Sequence, residues 1–188
     1  EDHVNGVPQL LERMSVDTVA VPRADAASGR LELLLPCLQA EGTELIYVEE
    51  ITRMELGPST LTLYPPLGSG TSNEEGLFAL CSNGDFDALI TGDADAFVEK
   101  MLVKYYDVPD LELLVAGHHG SSGSTSEELL DALRPELVLI SCGYNSYGHP
   151  APETLERLAR RVLTYRTDTM GTVSIYVRGD GYAAQSQG

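Results

Sequence analysis

Leu111-Glu112-Leu113-Leu114-Val115-Ala116 runs straight into Gly117-His118-His119-Gly120-Ser121, and the reading of this stretch decides the fold. A short apolar run bounded by glycine reads as a buried strand, and the glycines let backbone and imidazoles approach a third group closely. Just upstream, Phe86-Asp87-Ala88-Leu89-Ile90-Thr91 is a second short apolar run; it stops at Gly92-Asp93, and Asp95 before Ala96-Phe97-Val98 marks a helix start. Two strands therefore each end in a potential metal ligand. Ligands of open α/β sheets collect at the carboxyl ends of strands. A lone Asp here reads as a helix cap, and a lone His as a hydrogen-bonded packing residue. Two adjacent histidines between glycines point instead to a metal or catalytic site.

Leu77 to Ser82 and Phe86 to Thr91, joined across Asn83-Gly84-Asp85, carry the clearest hairpin signal. Ala94 to Lys104 follows as a helix with Phe97, Met101 and Leu102 on its apolar side, and Tyr105-Tyr106 read as packing residues. Ser121 to Ser126 lacks a nucleophile-elbow pattern; it reads as a polar loop that caps the next helix, Glu127 to Leu133, through Thr125 or Ser126, or that contacts phosphate. Leu137 to Ser141 is a strand opening into Gly143 to Pro150, which places His149 at a third strand-end loop, balanced between packing and function. Pro152 starts a helix to Arg161, and Leu163 to Arg166, Thr172 to Val177 and Tyr182 to Ala184 close the fold as strands.

On the amino-terminal side, Val7 to Met14 reads as a helix, Thr18 to Pro22 as a strand, and Ala26 to Ala40 as a helix that Pro36 should kink or split. Leu45 to Val48, Ile51 to Leu56 and Thr60 to Tyr64 read as an antiparallel meander that turns at Gly57-Pro58, and Leu67 to Glu75 as a surface loop. Strands and helices interleaved in two halves predict sheets packed face to face with helices outside, an α/β (α+β) chain of αββα sandwich type.

At 188 residues and 43% hydrophobic content the chain suits one domain, 1–188, and no run approaches the ~20 apolar residues of a membrane span. Asp and Glu number 29 against 12 Lys and Arg, a formal charge of −17. That balance argues against holding nucleic acid by broad phosphate neutralisation, although Arg134, Arg157, Arg160, Arg161, Arg166 and Arg178 enrich the carboxyl-terminal third. Cys37, Cys81 and Cys142 are odd in number and form no C-x-x-C, so neither a zinc knuckle nor a disulfide framework is indicated.

Glu1-Asp2-His3-Val4-Asn5-Gly6, Thr91-Gly92-Asp93, Gly117-His118-His119-Gly120-Ser121, Ser141-Cys142-Gly143-Tyr144-Asn145, Tyr147-Gly148-His149-Pro150 and Tyr165-Arg166-Thr167-Asp168 follow one another through nearly the whole chain. Their order resembles the metallo-β-lactamase superfamily and, within it, the carboxyl-terminal domain of the ComEC competence (DNA-uptake channel) family. The resemblance implies an αββα sandwich without its opening strands and with only the second half of an H-x-H-x-D-H motif, in Asp2-His3. The two earlier histidines have no counterpart, and Tyr64 stands where members often carry another. Lacking an initiator Met, the chain reads as a piece of a longer protein.

By the same resemblance Asp2, His3, Asp93 and one of His118 and His119 hold Zn²⁺ or Mn²⁺, with Asp93 bridging two metals; which histidine is the ligand stays open. Up to two metals are expected in a full-length protein, and one or none in this piece. Asp2, Asp93 and His149 would carry catalysis, with metal-activated water attacking a phosphodiester and His149 contacting phosphate or protonating the leaving oxygen. The implied function is a metal-dependent phosphodiesterase or nuclease acting on DNA, inactive or weak in this piece. Its partners would be DNA or another phosphodiester and the rest of a membrane-embedded transport protein, on whose extracytoplasmic face this soluble piece would sit. The alternative is a non-catalytic scaffold or DNA-guiding module, or a hydrolase of another ester class; the missing ligands, Asn5 where a second Gly is common, and the acidic surface favour it.

Overall fold

The computed structural model of the protein describes residues 6–23, 31, 34–68, 75–179 and 181–187. The chain divides into two compact units, Glu1–Ile51 and Thr52–Gly188.

In the first unit, α1 (Val7–Leu11) carries Pro8 in its first turn, where a missing N–H costs nothing, and Leu11 is its buried residue. Strands β1 (Thr18–Pro22) and β2 (Glu44–Val48) pair in parallel, with Thr18 opposite Glu44. Between them lies α2 (Leu35–Glu41), which ends at Gly42 in the left-handed conformation. Leu11, Val21, Leu31, Leu34 and Leu38 form the core.

Pro36 sits in the first turn of α2, where the ring is tolerated, while residues 26–30, 32 and 33 of the expected helix lie outside the described residues. One sequence expectation is corrected here: β2 does not join the antiparallel meander. The helix intervening between β1 and β2 makes a crossover, and a crossover returns a strand parallel to its predecessor.

The second unit is built on one seven-stranded sheet in the order β3 (Thr52–Leu56), β4 (Ser59–Tyr64), β5 (Phe78–Asn83), β6 (Phe86–Ile90), β7 (Leu113–Val115), β8 (Leu137–Ile140), β9 (Leu163–Arg166). From β3 to β6 the strands are antiparallel hairpins. Asn83 pairs with Phe86 across Gly84-Asp85, and Gly84 takes the positive φ such a tight turn requires. From β6 to β9 every pairing is parallel, and each connection carries a helix: α3 (Ala96–Tyr105), α4 (Glu127–Leu133), α5 (Pro152–Ala159).

Side chains alternate between the two faces of this sheet. Leu89, Leu114, Val138 and Ile140 pack with Val98 and Leu102 of α3, Leu129, Leu130 and Leu133 of α4, and Leu158 of α5. Leu89, Leu114 and Val138 are wholly buried, so truncating either leucine to Ala costs about 2–5 kcal/mol. On the other face Ala88, Leu113 and Leu137 are covered by Ile175, Tyr182 and Ala184, from the antiparallel hairpin of β10 (Val173–Arg178) and β11 (Gly181–Ser186). Tyr106 packs against the buried Tyr64, ring centroids 5.1 Å apart, as a packing residue should.

The parallel register brings the carboxyl ends of β6, β7 and β8 to one edge of the sheet, since Ile90 pairs with Val115 and Val115 with Leu139. Everything that follows at that edge, from Gly92 to Pro150, comes from these three strand ends.

Candidate metal centre

Thr91 ties the first two strand ends together: it is buried, and its hydroxyl donates to the carbonyl of Val115 at 3.1 Å. The backbone N–H of His118 donates in turn to the carbonyl of Gly92 at 2.9 Å. Gly117–Gly120 folds into a tight turn in which His118 and His119 take φ of 48° and 55°, left-handed values that cost a non-glycine residue ~1–3 kcal/mol each. Contact disfavours a side chain at both flanking glycines, and more strongly at Gly120. A Cβ on Gly117 would lie 3.1 Å from the carbonyl oxygen of Ala94, and one on Gly120, at φ +83°, would lie 2.7 Å from Cβ of Pro150. The close approach expected of this motif is therefore between the turn and its own neighbours.

That backbone aims both imidazoles at one carboxylate. Nε2 of His118 lies 4.0 Å from Oδ2 of Asp93, and Nε2 of His119 lies 4.0 Å from Oδ1. Nδ1 of His119 is 2.8 Å from the carbonyl oxygen of Ser141. A carbonyl can only accept, so Nδ1 carries a proton, and in the neutral ring Nε2 is the unprotonated nitrogen that faces Asp93. His149 completes the group: its ring centroid is 5.3 Å from that of His118. Its Nδ1 is buried and has no hydrogen-bond partner among the described residues. Burial, and then the neighbouring His118 and His119, hold its pKa below the usual 6.5, against the opposing pull of Asp93.

The loop that delivers His149 is fixed by Asn145. Its Nδ2 donates to the carbonyls of Gly143 and His149 at 2.8 and 2.7 Å, and its Oδ1 accepts from the N–H groups of Tyr147 and His149 at 3.1 and 3.0 Å. Tyr147, 83% exposed, stacks on the His149 ring with 22° between the planes.

The structure thus gathers Asp93, His118, His119 and His149 at one edge. Asp2 and His3 lie outside the described residues. Tyr64 belongs to the hydrophobic core, its phenol pushed above its usual pKa chiefly by burial, and stands away from any ligand role. Cys142 is half-buried with its thiol pushed up chiefly by burial, so it offers no thiolate.

Carboxylate and imidazole donors suit Zn²⁺ or Mn²⁺, and a ligating His whose second nitrogen is tied to a carbonyl is the usual arrangement around such an ion. By chemistry the residues fit a metal. Their spacing is open: two ligands of a tetrahedral zinc stand about 3.3 Å apart, against 4.0 Å here. Among the described residues no group of three His, Cys, Asp or Glu closes tightly enough to hold an ion as it stands.

The chain is 27% identical over 180 residues, 92% of its length, to ComE operon protein 3 of Bacillus subtilis. It is 39% identical over 100 residues, 52% of its length, to competence protein ComA of Neisseria gonorrhoeae. It spans 23% and 14% of those two relatives. No protein-family model matches the chain. Among solved structures, the metallo-β-lactamase fold protein YhfI of Bacillus subtilis superposes with TM-score 0.53 at 12% identity, over 89% of this chain and 72% of that one. Zn²⁺-bound PqqB of Methylobacterium extorquens superposes with TM-score 0.55 at 11% identity, over 88% and 67%. At such identities the likeness is one of fold, and the fold is that of the metallo-β-lactamases.

Proposed function

We propose that this competence-protein-like chain of metallo-β-lactamase fold is a metal-dependent phosphodiesterase domain, acting on DNA as part of a longer DNA-uptake protein. One observation carries the reading: the carboxylate of Asp93 meets the Nε2 atoms of His118 and His119 at 4.0 Å each, beside His149, at the carboxyl edge of the parallel strands β6, β7 and β8. Asp93, His118 and His119 would hold a divalent cation there. A bound cation supplies Lewis acidity toward phosphate oxygen and lowers the pKa of water.

The chain's own residues do the rest. Asp93 is positioned by the turn after β6 and places its two oxygens toward different histidines, the disposition a bridging carboxylate needs. The Nδ1–H of His119, held by Ser141, keeps Nε2 available as a donor of electrons. His149, with its pKa depressed, is a neutral imidazole at pH 7 that can donate one N–H to a phosphate oxygen. That favours the phosphate-contact role over proton donation to the leaving group. A surface of formal charge −17 repels DNA, so the cation site is also where a phosphate is attracted rather than repelled. No described helix is long and apolar enough to cross a membrane; a membrane-embedded remainder of the parent, on its extracytoplasmic side, is part of the proposal.

A second reading, a non-catalytic module of a transport protein, is favoured by the wide ligand spacing and by the lack of a three-ligand group among the described residues. Hydrolysis of single-stranded DNA and of a simple bis-phosphodiester, with Mn²⁺ or Zn²⁺ added, separates the two. Metal-dependent turnover of both supports the enzyme. A metal-loaded parent protein inert on both supports the module.

A further inference from the structure

We propose that Glu99 and Arg157 are positioning residues for the centre: from opposite sides they grip the segment Ser124-Thr125-Ser126, to whose first two residues both halves of the site are fastened, and so set its affinity for a divalent metal. The inference rests on the metal-centre reading above.

Glu99 lies on α3 with no exposure at all, a location that disfavours a carboxylate unless its oxygens are satisfied. They are. One oxygen accepts the N–H of Thr125 at 2.5 Å and the other that of Ser126 at 2.8 Å. Burial pushes the carboxyl pKa up, and these bonds and the charge of Arg157 oppose it. From α5, Nη1 of Arg157 donates to the carbonyls of Ser124 and Thr125, both at 2.9 Å, and Nη2 reaches the carbonyl of Ser122 at 3.4 Å. The N–H side of the segment is thus held by an acid and its carbonyl side by a base.

What the segment holds in turn is the site. The hydroxyl of the buried Ser124 donates to the carbonyl of Ala94 at 2.7 Å, one residue beyond Asp93. The hydroxyl oxygen of the buried Thr125 accepts the N–H of Gly117 at 3.1 Å, one residue before His118. Thr125 itself sits at φ 52°, the third left-handed non-glycine residue of this edge after His118 and His119. Left-handed residues persist where their surroundings over-determine them. Helix capping alone does not account for the arrangement: Ser126 already caps α4 through its own hydroxyl, which accepts from the N–H of Leu129. The additional acid and base converge on Thr125, one residue upstream, whose hydroxyl holds the turn of His118.

The test titrates Zn²⁺ or Co²⁺ alone into the wild-type chain and into Glu99→Gln, Arg157→Lys, Thr125→Val and Thr125→Ser, each checked by circular dichroism. Expected is a loss of affinity of about 10–100-fold, the size typical of outer-shell changes at metal sites, in the first three, with Thr125→Ser close to wild type. Phe86→Ala, on the far face of the sheet against Tyr182, should lower stability and leave affinity alone. If Glu99→Gln fails to fold, Arg157→Lys and Thr125→Val carry the comparison. In metal-free protein the ¹⁵N signals of the His118 and His119 rings should also move in those variants. A wild-type chain that binds no metal but shows these ring shifts overturns the metal-centre reading while upholding the clamp. Folded variants with unchanged affinity and unchanged ring signals overturn the clamp.

Discussion

His119 is oriented by Ser141: its Nδ1 lies 2.8 Å from that carbonyl, so a residue after β7 takes its tautomer from the end of β8. The parallel pairing of these strands is therefore part of the site's chemistry and not only of its support.

The first prediction is spectroscopic. In ¹⁵N-histidine-labelled protein above its titration range, His119 should appear as the Nδ1–H tautomer, with its Nε2 unprotonated. Two-dimensional correlation of ring nitrogens with carbon-bound protons reads this directly. An Nε2–H tautomer for His119 in metal-free protein would contradict the assigned donor.

Gly120→Ala should be strongly destabilising. The new Cβ would meet Cβ of Pro150 at 2.7 Å and Cγ2 of Ile140 at 3.2 Å, with φ at +83° besides, and overpacking of this kind costs about 1–3 kcal/mol. Gly143→Ala, where a Cβ would meet nothing within 4 Å, should stay within about 0.5 kcal/mol of wild type, as surface changes do. Chemical denaturation of the two variants side by side checks both figures.

The pH dependence of stability has a component at Asp168. Nε and Nη2 of Arg166 donate to its two oxygens at 3.1 and 2.7 Å, and this pairing is the main reason its pKa is lowered from 3.8. A carboxyl that binds its proton less readily folded than unfolded stabilises the fold above its unfolded pKa and loses that contribution as pH falls through its folded value. Asp168→Asn should therefore lower Tm at pH 6 and narrow its gap to wild type below pH 4. A gap of constant size down to acid unfolding would refute the pairing's role.

Nucleic-acid binding by this chain should be weak at physiological salt without added metal, because a formal charge of −17 repels phosphates over the ~8 Å Debye length. An electrophoretic shift with single-stranded DNA at micromolar protein measures it. Firm binding there would mean that an arginine patch outweighs the acidic surface.

Much of this edge was legible in the sequence because it rests on short-range signals. The Asn83-Gly84-Asp85 hairpin, the Gly92-Asp93 strand end and the glycine-flanked His118-His119 each declare themselves within a few residues, and the structure brings them together with His149. What was not legible depends on distant pairing. Leu45 to Val48 reads as one more meander strand until Thr18 to Pro22 is found beside it. The short helix Thr167–Met170 was hidden because its four residues carry no periodicity. Glu99 reads as one polar position on an amphipathic helix, since only the fold reveals that Thr125 and Ser126 cover it. The tautomer of His119 depends on a carbonyl, and backbone atoms leave no mark in a side-chain pattern.

The most direct test of the account compares Asp93→Ala with His149→Ala in the natural protein that contains this chain, assayed with Mn²⁺ or Zn²⁺ on single-stranded DNA and on a bis-phosphodiester, with circular dichroism confirming each fold. Asp93 faces both histidines, so its loss should remove metal binding and abolish turnover of both substrates. His149→Ala should keep the metal and lose about 10²- to 10⁴-fold in rate, the range for a proton-transfer or phosphate-contact group. A folded Asp93→Ala protein that still binds metal and still cleaves either substrate would contradict the account.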